Sequence, residues 1–259
     1  MTRVGILPAL VTMANGYCGL LAIFKTHDEE FGQAALFILI AMIFDVLDGM
    51  VARKAGITSS FGAYLDSLCD AISFGVAPAF LVKAAVEKSG YDVYGPKVLT
   101  VLTSIFALCA LLRLARYNVE HTVGEGTTTE EGTAVESFAG MPTPGAAGIL
   151  ASLVFLQSDE SRLLDYGFLH YLLPVICAVL GYLMVSRVPY LHASRLLKRR
   201  RDFAYLFRVV VVAVVLVRFP HECTAIAFLL YGFSGPVRVL LRRAPGPGEP
   251  PDAEASERP

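Results

Sequence analysis

The chain has 259 residues, 55% of them apolar and only 17% charged, with a mean hydropathy of +0.57. That balance excludes an ordinary water-soluble domain of this length and puts most of the chain in a bilayer. The formal net charge of −1 gives no support to nucleic-acid binding; the loops that hold Lys and Arg are more informative. In chain order, apolar blocks separated by polar breaks predict spans near 7–24, 33–52, 62–83, 97–115, 143–157, 168–187, 203–218 and 223–239. The expectation is an all-α, polytopic membrane bundle of about eight transmembrane helices over 1–243. No small-residue cleavage site follows Arg3, so the first block reads as a retained span. The segment 244–259, APGPGEPPDAEASERP, has too little apolar surface to offset its ordering entropy and is expected to be a disordered cytoplasmic tail.

Arg3, Arg53 with Lys54, Arg113 with Arg116, the run from Arg187 to Arg201, and Arg238, Arg242 and Arg243 all fall on one side of this layout. The positive-inside rule makes that side cytoplasmic, with both termini there and the protein multi-pass in the cell (inner) membrane. LLKRRR at 196–201 reads as a topology anchor or as an anionic-lipid site. Cys18, Cys69, Cys109, Cys177 and Cys223 lie singly in apolar blocks, with no CxxC pair, and read as small core residues.

The stretch that carries chemistry is FDVLDGMVARKAGITSSFGAYLDSLCDAISFG, at the hairpin between the second and third spans. Asp45 and Asp48 are spaced i, i+3, and Asp66 and Asp70 are spaced i, i+4, so each pair shares one helix face and the hairpin can bring the faces together. One ionised Asp inside a span costs about 2.5–3.5 kcal/mol on insertion scales, so four need compensation. An all-oxygen pocket suits Mg²⁺, Mn²⁺ or Ca²⁺, in one or two ions, and the absence of nearby His and Cys argues against zinc. The bland alternative is a set of helix-end carboxylates paired with Arg53 and Lys54, but two cations do not match four acids. Gly49 and Gly62 each lie near an acid and would let a bulky ligand approach the backbone.

Asp48-Gly49-x-x-Ala52-Arg53, eight residues, Gly62, three, Asp66, three, Asp70 resembles the signature of the CDP-alcohol phosphotransferase family at every fixed position, with Asp45 as its usual extra acid. The resemblance implies a CDP-lipid diphosphate held on Mg²⁺ or Mn²⁺ at the cytoplasmic face. It implies Asp45, Asp48, Asp66 and Asp70 as metal ligands, with Asp70 also the base for the acceptor hydroxyl. Asp48, Gly49, Arg53, Ser59, Gly62 and Asp66 are implied as CDP-lipid contacts. Thr12 and Asn15 in the first span read as nucleotide contacts by the same resemblance, or as polar residues satisfied by a neighbouring helix.

SFGVAPA at 73–79, RLARYN at 113–118, FAGMPTPGAAG at 138–148 and SRVPYLH at 186–192 are similar to the bacterial and archaeal phosphatidylserine synthase branch, which implies CDP-diacylglycerol and L-serine as substrates. Tyr117 stands where Phe is expected and Gly145 where Ala is commoner. Arg113 and Arg116 can present cations to a serine carboxylate or the donor phosphate, with Asn118 beside them, or can serve as positive-inside anchors. The paired prolines of Met141-Pro142-Thr143-Pro144 suit a helix start. A homodimer among membrane lipids is also implied. Two other readings remain: the same chemistry with glycerol 3-phosphate or inositol phosphate as acceptor, and a divalent-cation or proton-coupled carrier using the acids as an ion site.

Overall fold

In the computed structural model the described residues are 6–55, 60–90, 93–124, 140–158, 168–186 and 220–243. They form helices α1 (Ile6–His27), α2 (Phe31–Ala55), α3 (Ser60–Asp70), a π-helical segment (Ala71–Val76), α4 (Ala77–Ser89), α5 (Gly95–Gly124), α6 (Thr143–Gln157), α7 (Phe168–Val185) and α8 (Pro220–Arg243), with no strand among the described residues. Seven of the eight expected spans coincide with helical rods, α3, the π segment and α4 forming one; the expected span 203–218 lies outside the described residues, as do SRVPYLH beyond Ser186, LLKRRR and the tail. Five rods are long and apolar enough to cross a membrane: Pro8–His27, Phe31–Val51, Phe61–Ser89, Gly95–Val119 and Phe168–Val185. The protein is therefore a multi-pass helical membrane protein. α5 runs well past the expected 97–115 because no Gly or Pro interrupts it between Pro96 and Gly124.

The centre of the bundle is α6, whose 15 residues reach about 22 Å, short of a full crossing. Its sequence TPGAAGILASLVFLQ is apolar all round, as a helix enclosed by others must be, and Gly145 through Val154 are all buried. Gly, Ala and Ser on this helix let neighbours approach from several sides, and α2, α4, α7 and α8 all pack on it. It begins at Thr143, within the expected proline pair. The outer helices instead carry exposed apolar side chains, such as Ile43 and Val46 on α2 and Leu108 and Leu112 on α5, as a lipid-facing surface requires.

The third rod changes its helical pitch at one place. Pro78 has no N–H to give to the carbonyl one α-turn back, and the chain takes up the π geometry over Ala71–Val76, directly after Asp70. α1 crosses this region closely: a methyl group at Gly19 would come within 2.7 Å of the Ser73 Cα, and one at Gly16 within 2.8 Å of the Cys69 Sγ. Ser73 Oγ donates to the Asn15 carbonyl at 3.0 Å, closing the same contact.

Gly19→Ala is expected to lower the stability of the purified protein in detergent by about 1–3 kcal/mol through overpacking against backbone. Gly75→Ala, whose methyl would meet the Ala110 Cβ at 3.4 Å, is expected to be neutral or stabilising. Thermal unfolding of the two variants checks the contrast.

Candidate active site

The last turns of α2 present Asp45 and Asp48 to Asp66 on α3, and one carboxylate oxygen of each of these three lies within 4.8 Å of the others. Asp48 is buried, and Asp45 and Asp66 are half-buried. Asp48 Oδ2 and Asp66 Oδ1 are buried oxygens with no hydrogen-bond partner. At about 5 Å and an effective dielectric near 20, each pair of like charges would cost roughly 3 kcal/mol if all three acids were ionised, a repulsion that a bound cation or protonation relieves. Unpaired, convergent carboxylate oxygens are the donor set of a hard divalent ion, so these residues fit such a metal.

Asp70 lies one turn beyond Asp66 and is held differently. Asn15 Nδ2 donates to Asp70 Oδ1 at 2.8 Å, and both residues are buried. The link spans α1 and α3 and depends on the close crossing at Gly16 and Gly19. Thr12, one turn before Asn15 on α1, is also buried, lies beside Asp48, and donates its hydroxyl to the Pro8 carbonyl at 3.1 Å. Both polar residues singled out in the first span therefore face the acids.

Gly49 and Gly62 are half-buried on the two helices that carry the acids. Ser59 and the side chain of Arg53 lie outside the described residues. The three polar residues of α5 divide. Arg113 points inward, its Nη1 donating to Thr143 Oγ1 at 2.9 Å, and its electrostatic neighbours are Tyr231, Tyr117 and Asp70. Arg116 is exposed. Asn118 accepts from Ser67 Oγ at 3.0 Å, tying α5 to the acid-bearing helix.

Three residues beside Arg113 escaped assignment from the sequence. Tyr117 is four residues on, hence on the same face of α5, and interacts electrostatically with Asp66 as well as Arg113. Its spacing was a usable signal. Thr143 was legible only as part of a helix start, and Tyr231, on α8, has no local signal because a distant helix brings it in.

A family model described as CDP-alcohol phosphatidyltransferase matches residues 5–185. The chain is 32% identical over 230 residues to a CDP-diacylglycerol–serine O-phosphatidyltransferase of Methanocaldococcus jannaschii, covering 89% of this chain and 92% of that one. It is 33% identical over 193 residues to the protein of the same name from Bacillus subtilis, covering 73% and 92%. An archaetidylserine synthase of Methanothermobacter thermautotrophicus is 35% identical over 186 residues, covering 71% and 69%.

Asn15→Ala removes the donor to a buried carboxylate and is expected to cost about 1.5–3 kcal/mol of stability, read as a lower unfolding temperature in detergent. An unchanged unfolding temperature would mean that the 2.8 Å contact does not hold α1 to α3.

Proposed function

The chain belongs to the CDP-alcohol phosphatidyltransferase family, and from that premise we propose how its residues move the phosphatidyl group of CDP-diacylglycerol onto the hydroxyl of L-serine, giving phosphatidylserine and CMP. Serine as acceptor is supported by relatives named as serine phosphatidyltransferases across bacteria and archaea. The observation that carries the chemistry is the convergence of Asp45, Asp48 and Asp66 within 4.8 Å, with Asp70 one turn away on an Asn15 hydrogen bond.

Asp45, Asp48 and Asp66 would hold the divalent ion, Mg²⁺ or Mn²⁺, with a second ion reaching Asp70. When bound, such an ion supplies charge stabilisation to the diphosphate oxygens. The chain's own residues do the rest. Asn15 occupies Asp70 Oδ1 and leaves Oδ2 to take the proton from the serine hydroxyl. That hydroxyl oxygen attacks the lipid-linked phosphorus, the bond to the CMP oxygen breaks, and CMP departs. By the family signature, Arg53 would offer the diphosphate a planar guanidinium, with Gly49, Gly62, Ser59, Thr12 and Asn15 as further donor contacts. Arg113, half-buried near Asp70, would receive the serine carboxylate; exposed Arg116 fits anchoring better.

The alternation of cationic loops supports both termini and the acid cluster at the cytoplasmic face of the inner membrane, in a bundle of eight spans; the resemblance to the family supports a homodimer. The carrier reading is disfavoured because the acids match the family's signature residue by residue and the chain belongs to that family.

The direct test is CMP release by purified protein with CDP-diacylglycerol and Mg²⁺ or Mn²⁺, offering L-serine, glycerol 3-phosphate and inositol phosphate separately. Release with serine, abolished by chelator, is expected; release with only a phosphorylated acceptor would overturn the substrate assignment. Asp70→Asn is expected to lower turnover by about 10²–10⁴-fold while donor binding persists. Unchanged turnover would remove Asp70 from the mechanism.

A further inference from the structure

A second concave site lies at the end of the bundle away from the acids. The α1–α2 turn, the last turns of α4 and α6 and the first turn of α7 line a cavity of about 590 Å³. Phe31, at the start of α2, marks its level, roughly 25 Å along that helix from Asp48 at 1.5 Å per residue. The volume falls in the range of about 300–1,000 Å³ typical of small-molecule sites.

The lining combines an unpaired amide, balanced charges and an apolar wall. Gln157, at the C-terminal end of α6, has both amide atoms buried, and neither Nε2 nor Oε1 has a hydrogen-bond partner among the described residues. Each unpaired buried donor or acceptor costs about 1–3 kcal/mol, so a group that both gives and takes hydrogen bonds belongs beside it. Lys88 Nζ pairs with Glu29 Oε2 at 2.5 Å and Lys25 Nζ with Glu30 Oε2 at 3.0 Å, so these four charges cancel. Such solvent-accessible pairs contribute only about 0–1 kcal/mol, so a ligand carrying both signs can exchange with them at little cost. Glu29 stands at φ 63°, where glycine would be unstrained, and its carboxylate ties the α1–α2 turn to α4 through Lys88. The apolar wall includes Phe31, Val154 and Phe155, the last stacked on His221 of α8 at 4.0 Å. Leu36, 44% exposed on the outer surface of α2, continues that wall to the surface that lipid chains cover.

We propose that this cavity binds the headgroup of a zwitterionic phospholipid with a primary ammonium, from the leaflet opposite the acids. Its phosphate meets Lys88 and the Gln157 Nε2–H, its ammonium donates to Gln157 Oε1 and the Glu29 and Glu30 carboxylates, and its first acyl carbons lie along Phe31 and Leu36. Water alone would satisfy the amide but would leave the apolar wall without a partner. A quaternary headgroup has no N–H to give to Gln157, and an anionic one brings no cation to the two carboxylates. The bound lipid braces the α1–α2 turn against α4 and α6 without reaching the acids.

The test is thermal unfolding of the purified full-length protein in detergent with phosphatidylethanolamine, phosphatidylcholine or phosphatidylglycerol of the same acyl chains. Phosphatidylethanolamine is expected to raise the unfolding temperature by about 4 °C or more beyond either of the others. Gln157→Leu, which keeps the bulk of the side chain and removes the amide, is expected to abolish that difference. Lys88→Ala, at an exposed side chain, reads the same site if Gln157→Leu folds poorly, and is expected to at least halve the difference. Equal shifts with all three lipids, or a difference that survives both substitutions, would overturn the proposal. The same shift with soluble phosphoethanolamine would overturn the assignment to a lipid.

Discussion

Four carboxylates gathered inside a helical bundle repel one another and resist leaving water, and much of the surrounding architecture answers that constraint. Three of them, Asp45, Asp48 and Asp66, converge closely enough that their repulsion must be relieved by a bound cation or by protons. The fourth, Asp70, is held by a neutral amide from α1. Asn15 reaches it because glycines at 16 and 19 let α1 lie close against Cys69 of α3 and Ser73 of the π segment. The helical pitch changes directly after Asp70, and half-buried Arg113 lies near it.

The separation of roles follows from this layout. Asp48 and Asp66 carry buried, unpaired oxygens that suit a hard ion, whereas Asp70 is paired with an amide. The central helix α6 holds its neighbours in place, since its first turn anchors Arg113 and its glycines seat the last helix.

Much of this could be read in the residues before any coordinates. Fixed spacings placed the four acids on facing helices, and apolar block lengths gave seven of the rods, because both signals are local and periodic. The π segment was not legible, since an extra residue per turn leaves hydrophobic blocks intact and Pro78 alone is ambiguous. The division between inward Arg113 and exposed Arg116 could not be read either: both sit near one helix end, and only the approach of Thr143 and Tyr231 from other helices separates them. Tyr117 was visible as a departure from the expected Phe, but its place beside Asp66 emerges only from packing.

The central claim is that the acids of α2 and α3 exist to hold a divalent ion. Mn²⁺ binding to the purified protein, followed by electron paramagnetic resonance, tests it without relying on turnover. Saturable binding in the parent that is weakened at least tenfold in Asp48→Asn and Asp66→Asn, with helical content unchanged, is the predicted result. Equal binding by the parent and both variants, or no saturable binding by the parent, would contradict it.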